Sequence, residues 1–330
     1  MKSKRSREAA NVVATAMWLC TSCALAQGAS KRGMGYIGDT HDGDYSLLLS
    51  SNSPIDWYYT WSPVAAPSDI FPSGAESRIE FVPALPDLDN LADDISTATN
   101  LSSSSTHLLT FNEPDGTTSS GGSSISPQDA ATAYINQVVP LRDRFNISHP
   151  AVTGSSRGLQ WLEDFNTSCW KIDSKNGCPT DFVAVHWYGD FAGLTYWLDQ
   201  LTGFYNQSGS GVVNGNLKVW VPELGLAQES MDTTLAMMNQ SLPYLDALSY
   251  VERYAWFGVF RPKEANEWTG NGIALLENDG GLSELGAYYL GGEQNGFKTG
   301  QQGSGGNSSG MRLSLLVLWV ASTMTCTWNI

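Results

Sequence analysis

Short apolar runs recur along the chain at residues 32–38, 55–59, 79–84, 107–112, 150–154, 182–187, 218–222 and 251–258. Several, such as Phe182-Val183-Ala184-Val185 and Val219-Trp220-Val221, are apolar at every position instead of every second one. That is the pattern of strands covered on both faces of a parallel sheet. Between the runs lie stretches of helical character at 127–139, 157–165, 193–206, 231–247 and 283–290, with Ser126 placed to cap the first and a weaker stretch at 87–98. Eight strands alternating with helices over about 250 residues predict an α/β chain folded as a single (β/α)8 TIM-type barrel. A doubly wound open sheet is the rival. No G-x-G-x-x-G follows the first run and no G-x-x-x-x-G-K-[ST] occurs, so no nucleotide cofactor is expected.

The two ends follow other rules. Lys2, Lys4, Arg5 and Arg7 precede an apolar stretch at 9–25, and Ala24-Leu25-Ala26 fits a small-x-small cleavage site, so residues 1–26 read as a secretory signal peptide. Residues 27–299 form the one catalytic domain. Residues 300–310 are a Gly/Ser-rich linker and 311–330 an apolar tail. Small residues, a short spacer and a terminal apolar tail resemble a GPI-attachment signal, with attachment between Gly303 and Ser309 and loss of 311–330. The expectation is a secreted protein of the cell surface or wall, touching membrane only through such an anchor.

Composition narrows the partner. Charged residues make up 15% of the 330 residues and the formal net charge is −15. A surface of that sign repels phosphate backbones, and no nucleic-acid partner is expected. Aromatics reach 11%, with 12 Trp, beside plentiful Ser, Thr and Gly. Together these suit a neutral, polar, ring-shaped partner. Of five cysteines, Cys20 and Cys23 leave with the leader and Cys326 with the tail, and Cys169 and Cys178 remain, nine positions apart. In an oxidising compartment they are expected to form a disulfide closing a surface loop. No His lies near them, and His41, His107 and His149 show no ligand spacing, so no metal is expected. Sequons at Asn100, Asn146, Asn166, Asn206, Asn239 and Asn307 agree with secretion. Nothing in the chain requires more than a monomer.

The barrel reading says where chemistry belongs, since active sites of such barrels sit at the C-terminal ends of the strands. The fourth run, Leu108 to Phe111, stops at Asn112-Glu113-Pro114, and the seventh, Val219 to Val221, stops at Pro222-Glu223. Two glutamates therefore face one mouth. Glycoside hydrolysis needs such a pair: one acid to protonate the leaving oxygen, and one carboxylate to attack the anomeric carbon or activate water. A gap of about 5–5.5 Å retains configuration and one of about 6.5–9.5 Å inverts it. On the sixth run His186 and Tyr188 share a face, which places Tyr188 to hydrogen-bond the nucleophilic carboxylate and His186 to meet sugar or a carboxylate. Trp57, Tyr59 and Trp61 recur at period two, and Trp256 lies near the end of the eighth run. Trp57 reads as core; Tyr59, Trp61 and Trp256 suit either core packing or the stacking of a pyranose ring. Gly154-Ser155-Ser156 lacks the G-x-S-x-G nucleophile elbow.

Gly33-Met-Gly-Tyr-Ile, Trp57-Tyr-Tyr-Thr-Trp61, Phe81-Val-Pro, Phe111-Asn-Glu-Pro, Asp181-Phe-Val-Ala-Val-His-Trp-Tyr-Gly189, Val221-Pro-Glu-Leu-Gly and Trp256-Phe-Gly, in that order, resemble glycoside hydrolase family 128, a family similar to the fungal alkali-sensitive linkage proteins. The resemblance covers about residues 32–290. It implies a (β/α)8 barrel, β-1,3-glucan as substrate and a retaining mechanism, with Glu113 as acid/base, Glu223 as nucleophile and Asn112 on the sugar 2-hydroxyl. His186 and Tyr188 match the clan's sixth-strand pair less closely. The family also holds members that bind glucan with little or no cleavage. Beside a hydrolase therefore stand two alternatives, a non-hydrolytic glucan-binding wall protein and a glucan transglycosylase.

Overall fold

A computed structural model describes residues 30–38 and 41–303. The leader at 1–26, most of the 300–310 linker, the sequon at Asn307 and the tail at 311–330 lie outside the described residues.

Nine short strands run in parallel: β1 (Arg32–Gly35), β2 (Trp57–Tyr59), β3 (Glu80–Phe81), β4 (Ala84–Leu85), β5 (His107–Asn112), β6 (Asn146–Val152), β7 (Phe182–Tyr188), β8 (Val219–Gly225) and β9 (Val251–Trp256). They pair in the order β3-β2-β1-β9-β8-β7-β6-β5-β4. The two outermost members, β3 and β4, are halves of one stave, separated by Val82 and Pro83. Val82 N–H donates to Tyr58 O at 2.9 Å, and Pro83 O accepts from Leu109 N–H at 3.0 Å. The stave thus bonds to β2 on one side and β5 on the other, closing an eight-stave (β/α)8 cylinder. The pattern predicted this stave whole; Pro83, with no N–H to give, interrupts its ladder.

The helices fall between the strands: α1 (Tyr45–Leu48), α2 (Leu91–Thr99), α3 (Pro127–Ala133), α4 (Ser156–Ile172), α5 (Phe191–Tyr205), α6 (Met231–Ala247) and α7 (Glu284–Tyr289). Ser126, Ser155, Asp190, Ser230 and Ser283 cap α3 to α7 by accepting an N–H of the first turn. Beyond α3 the chain continues as a π turn and then a 3-10 turn to Asp143. Among the described residues no helix is long and apolar enough to cross a membrane. The expected strand at 150–154 begins four residues earlier, at Asn146. Pro150 sits inside that strand, where the register to β5 slips, and it reads in sequence as a strand start.

Alternation sorts each strand into lumen and shell. Trp57, Tyr59, Phe182, Ala184, Trp220 and Ala255 meet in a lumen cluster, while Tyr58, Val183, Val185, Val219 and Val221 pack outward under the helices. Large and small residues alternate across the lumen, so it is filled rather than open. A Cβ on Gly33 would lie 2.2 Å from the Trp57 ring, so only glycine lets that ring cross the lumen.

At the N-terminal end of the barrel, Glu80 closes the floor. Its Oε1 accepts from Thr106 N–H at 2.8 Å and from His107 Nδ1 at 3.0 Å, and its Oε2 accepts from Arg253 at 2.6 Å. The Arg253 guanidinium lies 4.4 Å over Trp220. Cys169 and Cys178 are joined as a disulfide, tying the end of α4 to the approach of β7. Closing so short a loop is worth about 2–3 kcal/mol.

Candidate active site

At the other end of the cylinder the chain leaves β5 through a strained corner. Phe111 has φ +30° and Glu113 φ +41°, values that a residue with a Cβ adopts only when its surroundings hold it there. They do so here: Glu113 N–H donates to Ala151 O at 2.7 Å and Asn112 O accepts from Ser123 N–H at 2.9 Å. The corner turns Glu113 back over the mouth. Asp115, two residues on, is a fully buried carboxylate. It accepts from Thr153 N–H at 2.9 Å and from the Thr153 hydroxyl, tying the loop after β5 to the loop after β6.

Glu223 stands opposite, near the end of β8, and is 6% exposed. Its Oε1 accepts from Trp61 Nε1 at 2.7 Å and its Oε2 from Tyr188 OH at 2.6 Å. His186, fully enclosed, lies between the two acids. Its Nδ1 donates to Glu113 Oε1 at 2.8 Å and stands 3.6 Å from Glu223 Oε1. One carboxylate oxygen from each glutamate and a ring nitrogen of His186 all lie within 4.8 Å of one another. The chain therefore brings together two acids that are 110 positions apart.

The electrostatics follow from burial. Loss of water pushes the Glu223 carboxyl above its ordinary range, and the negative Glu113 adds to this; His186, Tyr188 and Trp61 pull the other way. Burial works against a charged His186, but the two carboxylates beside it win and raise its pKa. Desolvation, with Glu223 next to it, pushes the Tyr188 phenol far up, so it remains a donor. Glu113, His186 and Glu223 are also the group that could offer ligands to a metal ion among the described residues. The Trp61 N–H is a donor only, and it occupies the Glu223 oxygen nearest His186. The donor set is therefore arranged for protons.

Each sequence-picked residue has a definite place. Glu113, Glu223, His186, Tyr188 and Trp61 converge. Asn112 borders them, its amide donating to Gly121 O at 3.1 Å and so pinning the Ser/Gly-rich loop at 117–124. Tyr59 is a correction. It is 2% exposed, lies under Trp61 with ring centroids 4.6 Å apart, and donates to Pro222 O at 3.0 Å. It supports Trp61 and the residue before Glu223 and offers sugar no face. Trp256 is a second correction. It packs into the outer core with no exposure, its N–H donating to Ile273 O at 3.0 Å. Phe257, the next residue and not singled out in the sequence, takes that place at the mouth, edge-on to Trp61 at 5.9 Å and to Tyr188 at 5.8 Å. Alternation along β9 explains its place: with Arg253 over Trp220 and Ala255 in the lumen, residue 257 continues the inward face. Gly35 was also missed; a Cβ there would lie 2.5 Å from the Trp61 ring.

Comparison with known proteins sets this geometry in a family. A glycosyl hydrolase catalytic core matches residues 33–289. Alkali-sensitive linkage protein 1 of Schizosaccharomyces pombe is 30% identical over 272 residues, which are 79% of this chain and 44% of the relative, so the chain spans less than half of that protein's length. Among solved structures, a subgroup III curdlan-specific exo-β-1,3-glucanase of Blastomyces gilchristii, in complex with glucose, is 27% identical with a TM-score of 0.60, covering 79% of this chain and 97% of its own. A subgroup VII oligosaccharide-binding protein of Trichoderma gamsii shares the fold at 18% identity and a TM-score of 0.58, covering 80% of this chain and 93% of its own. A barrel with two acids meeting at its mouth, matched along nearly its whole described length by this catalytic core, places the chain in glycoside hydrolase family 128.

Proposed function

We propose that the protein is a retaining glycoside hydrolase acting on β-1,3-glucan, with Glu113 as acid/base and Glu223 as nucleophile. The observation that carries this reading is the approach of the two carboxylates to within 4.8 Å across the mouth. That spacing leaves room for a sugar carbon between them but not for a water as well, which favours the double-displacement route. In the first step the Glu113 carboxyl gives its proton to the glycosidic oxygen as that bond breaks, and a Glu223 oxygen bonds to the anomeric carbon. In the second, Glu113 takes a proton from water, and the water oxygen displaces Glu223. Tyr188 and Trp61 hold the two Glu223 oxygens and so fix the attacking direction. His186 engages one Glu113 oxygen and leaves the other for the catalytic proton. The leader and tail support placing this activity at the cell surface.

The test is reducing-sugar release from linear β-1,3-glucan. A wild-type rate no higher than that of Glu223→Gln would overturn hydrolysis. A second reading, capture of glucan without cleavage, is favoured by the likeness to the oligosaccharide-binding protein. It expects saturable binding that survives both Glu→Gln changes, with no sugar released. Product analysis at high oligosaccharide concentration separates hydrolysis from chain transfer, because transfer yields longer products.

A further inference from the structure

Of the tryptophans described, Trp268 alone is exposed, at 60%. It sits in the long loop that follows β9, on the mouth side of the barrel. An exposed apolar ring is unremarkable when it is loose, but this one is built in. Asn266 Oδ1 accepts from Trp268 N–H at 3.0 Å, from Thr269 N–H at 2.8 Å and from the Thr269 hydroxyl at 2.9 Å. From the neighbouring loop, the Gln228 amide donates to both Glu267 O and Trp268 O, and Gln228 N–H donates to Thr269 O at 3.0 Å. Gln228 adopts φ +61° to make these bonds. The backbone on both sides of the ring is therefore fixed while its faces stay open to water.

The loop that carries Trp268 begins at the cleft. The loop starts at Phe257, which lies against Trp61 and Tyr188, and the loop that braces it leaves β8 just after Glu223. The other exposed apolar side chains of this rim, Ile37 and Val64, follow β1, which pairs with β9, and β2, the next strand along. Exposed apolar side chains therefore follow three successive strands of the mouth, β2, β1 and β9.

We propose that Trp268 is a stacking platform for a distant ring of a long neutral β-1,3-glucan chain, engaged when the chain extends beyond the catalytic cleft. A rigid indole loses little freedom on binding, and its face matches the C–H face of a pyranose. The proposal rests on the functional reading above, and the test separates the two. Binding is measured in the full chain carrying Glu223→Gln, so that nothing turns over, with polymeric linear β-1,3-glucan and with the β-1,3-trisaccharide. Trp268→Ala is expected to reduce the ratio of polymer to trisaccharide affinity by about tenfold. Trp268→Tyr, which keeps a ring, is expected to restore most of it. Tyr196→Ala removes an equally exposed ring, 66% accessible, from α5 on the outer wall, and is expected to leave the ratio unchanged. A ratio that Trp268→Ala does not alter, with the polymer still bound, overturns the platform and leaves the hydrolase reading intact. Failure of the parent chain to bind or cleave any β-1,3-glucan overturns both.

Discussion

Two clusters made of the same residue types sit at opposite ends of one cylinder. At the floor, Glu80 meets His107, whose ring lies against Trp220; at the mouth, Glu113 and Glu223 meet His186 and Trp61. The floor adds a permanent cation. With Arg253 and His107 against it, Glu80 titrates far below the ordinary carboxylate range in spite of its burial. The mouth has two acids, and the ion-pair partner they share among the described residues is a histidine, which can itself gain or lose a proton. There burial prevails and Glu223 moves up. A fixed counter-charge locks an acid into the scaffold, whereas a titratable one leaves protons free to move.

The largest expected effect breaks this contrast at the mouth. Glu223→Gln is expected to lower kcat on β-1,3-glucan by on the order of 10⁴-fold with an unchanged melting temperature, measured by sugar release beside a thermal scan. The reciprocal change at the floor is expected to do the opposite. Glu80→Gln leaves Arg253 uncompensated and should lower stability by about 3 kcal/mol, read from urea unfolding, with kcat retained in the folded fraction. Its pH signature follows from the depressed native pKa. The Glu80 contribution is present above the ordinary glutamate value near 4.5 and is lost as pH falls below it. Wild type should therefore lose stability on acidification through that region more steeply than Glu80→Gln.

Smaller effects sharpen the mouth. Tyr188→Phe deletes one hydrogen bond to a charged oxygen and is expected to reduce kcat/KM about 10- to 100-fold. It should also move the acidic limb of the pH–rate profile upward, because a donor that lowers the Glu223 pKa is gone. Glu113→Gln should move that limb the other way, down, because it removes a neighbouring negative charge. An aryl glucoside, whose leaving group needs no acid, allows that measurement. If both variants shift the limb in the same direction, the account of Glu223 fails.

Much of this was legible in the residues. Apolar runs at a steady interval gave the eight staves, and the acids ending the fourth and seventh runs mark the two sides of the mouth. What sequence did not reveal was parity. Each strand offers two alternating faces, and composition alone does not say which faces the lumen. In β2 the aromatic set at 57, 59 and 61 points inward; in β9 the inward set is 253, 255 and 257, so Trp256 falls into the shell and Phe257 reaches the site. Tyr59 shows a second gap. It has the inward parity, but depth along the axis decides between a floor for sugar and a support beneath it. Asp115 went unnoticed because its partner, Thr153, comes from another loop.

The twisted corner at Phe111 and Glu113 has a consequence for descent as well as for chemistry. Its conformation suits glycine or asparagine better than the residues now present, so under the proposed hydrolase function selection for catalysis holds the acid there against a drift toward more comfortable occupants. A lineage that kept the cylinder as a mere glucan receptor would be free to let that corner relax, and substitutions at these two sites should then be among the first traces of the lost activity.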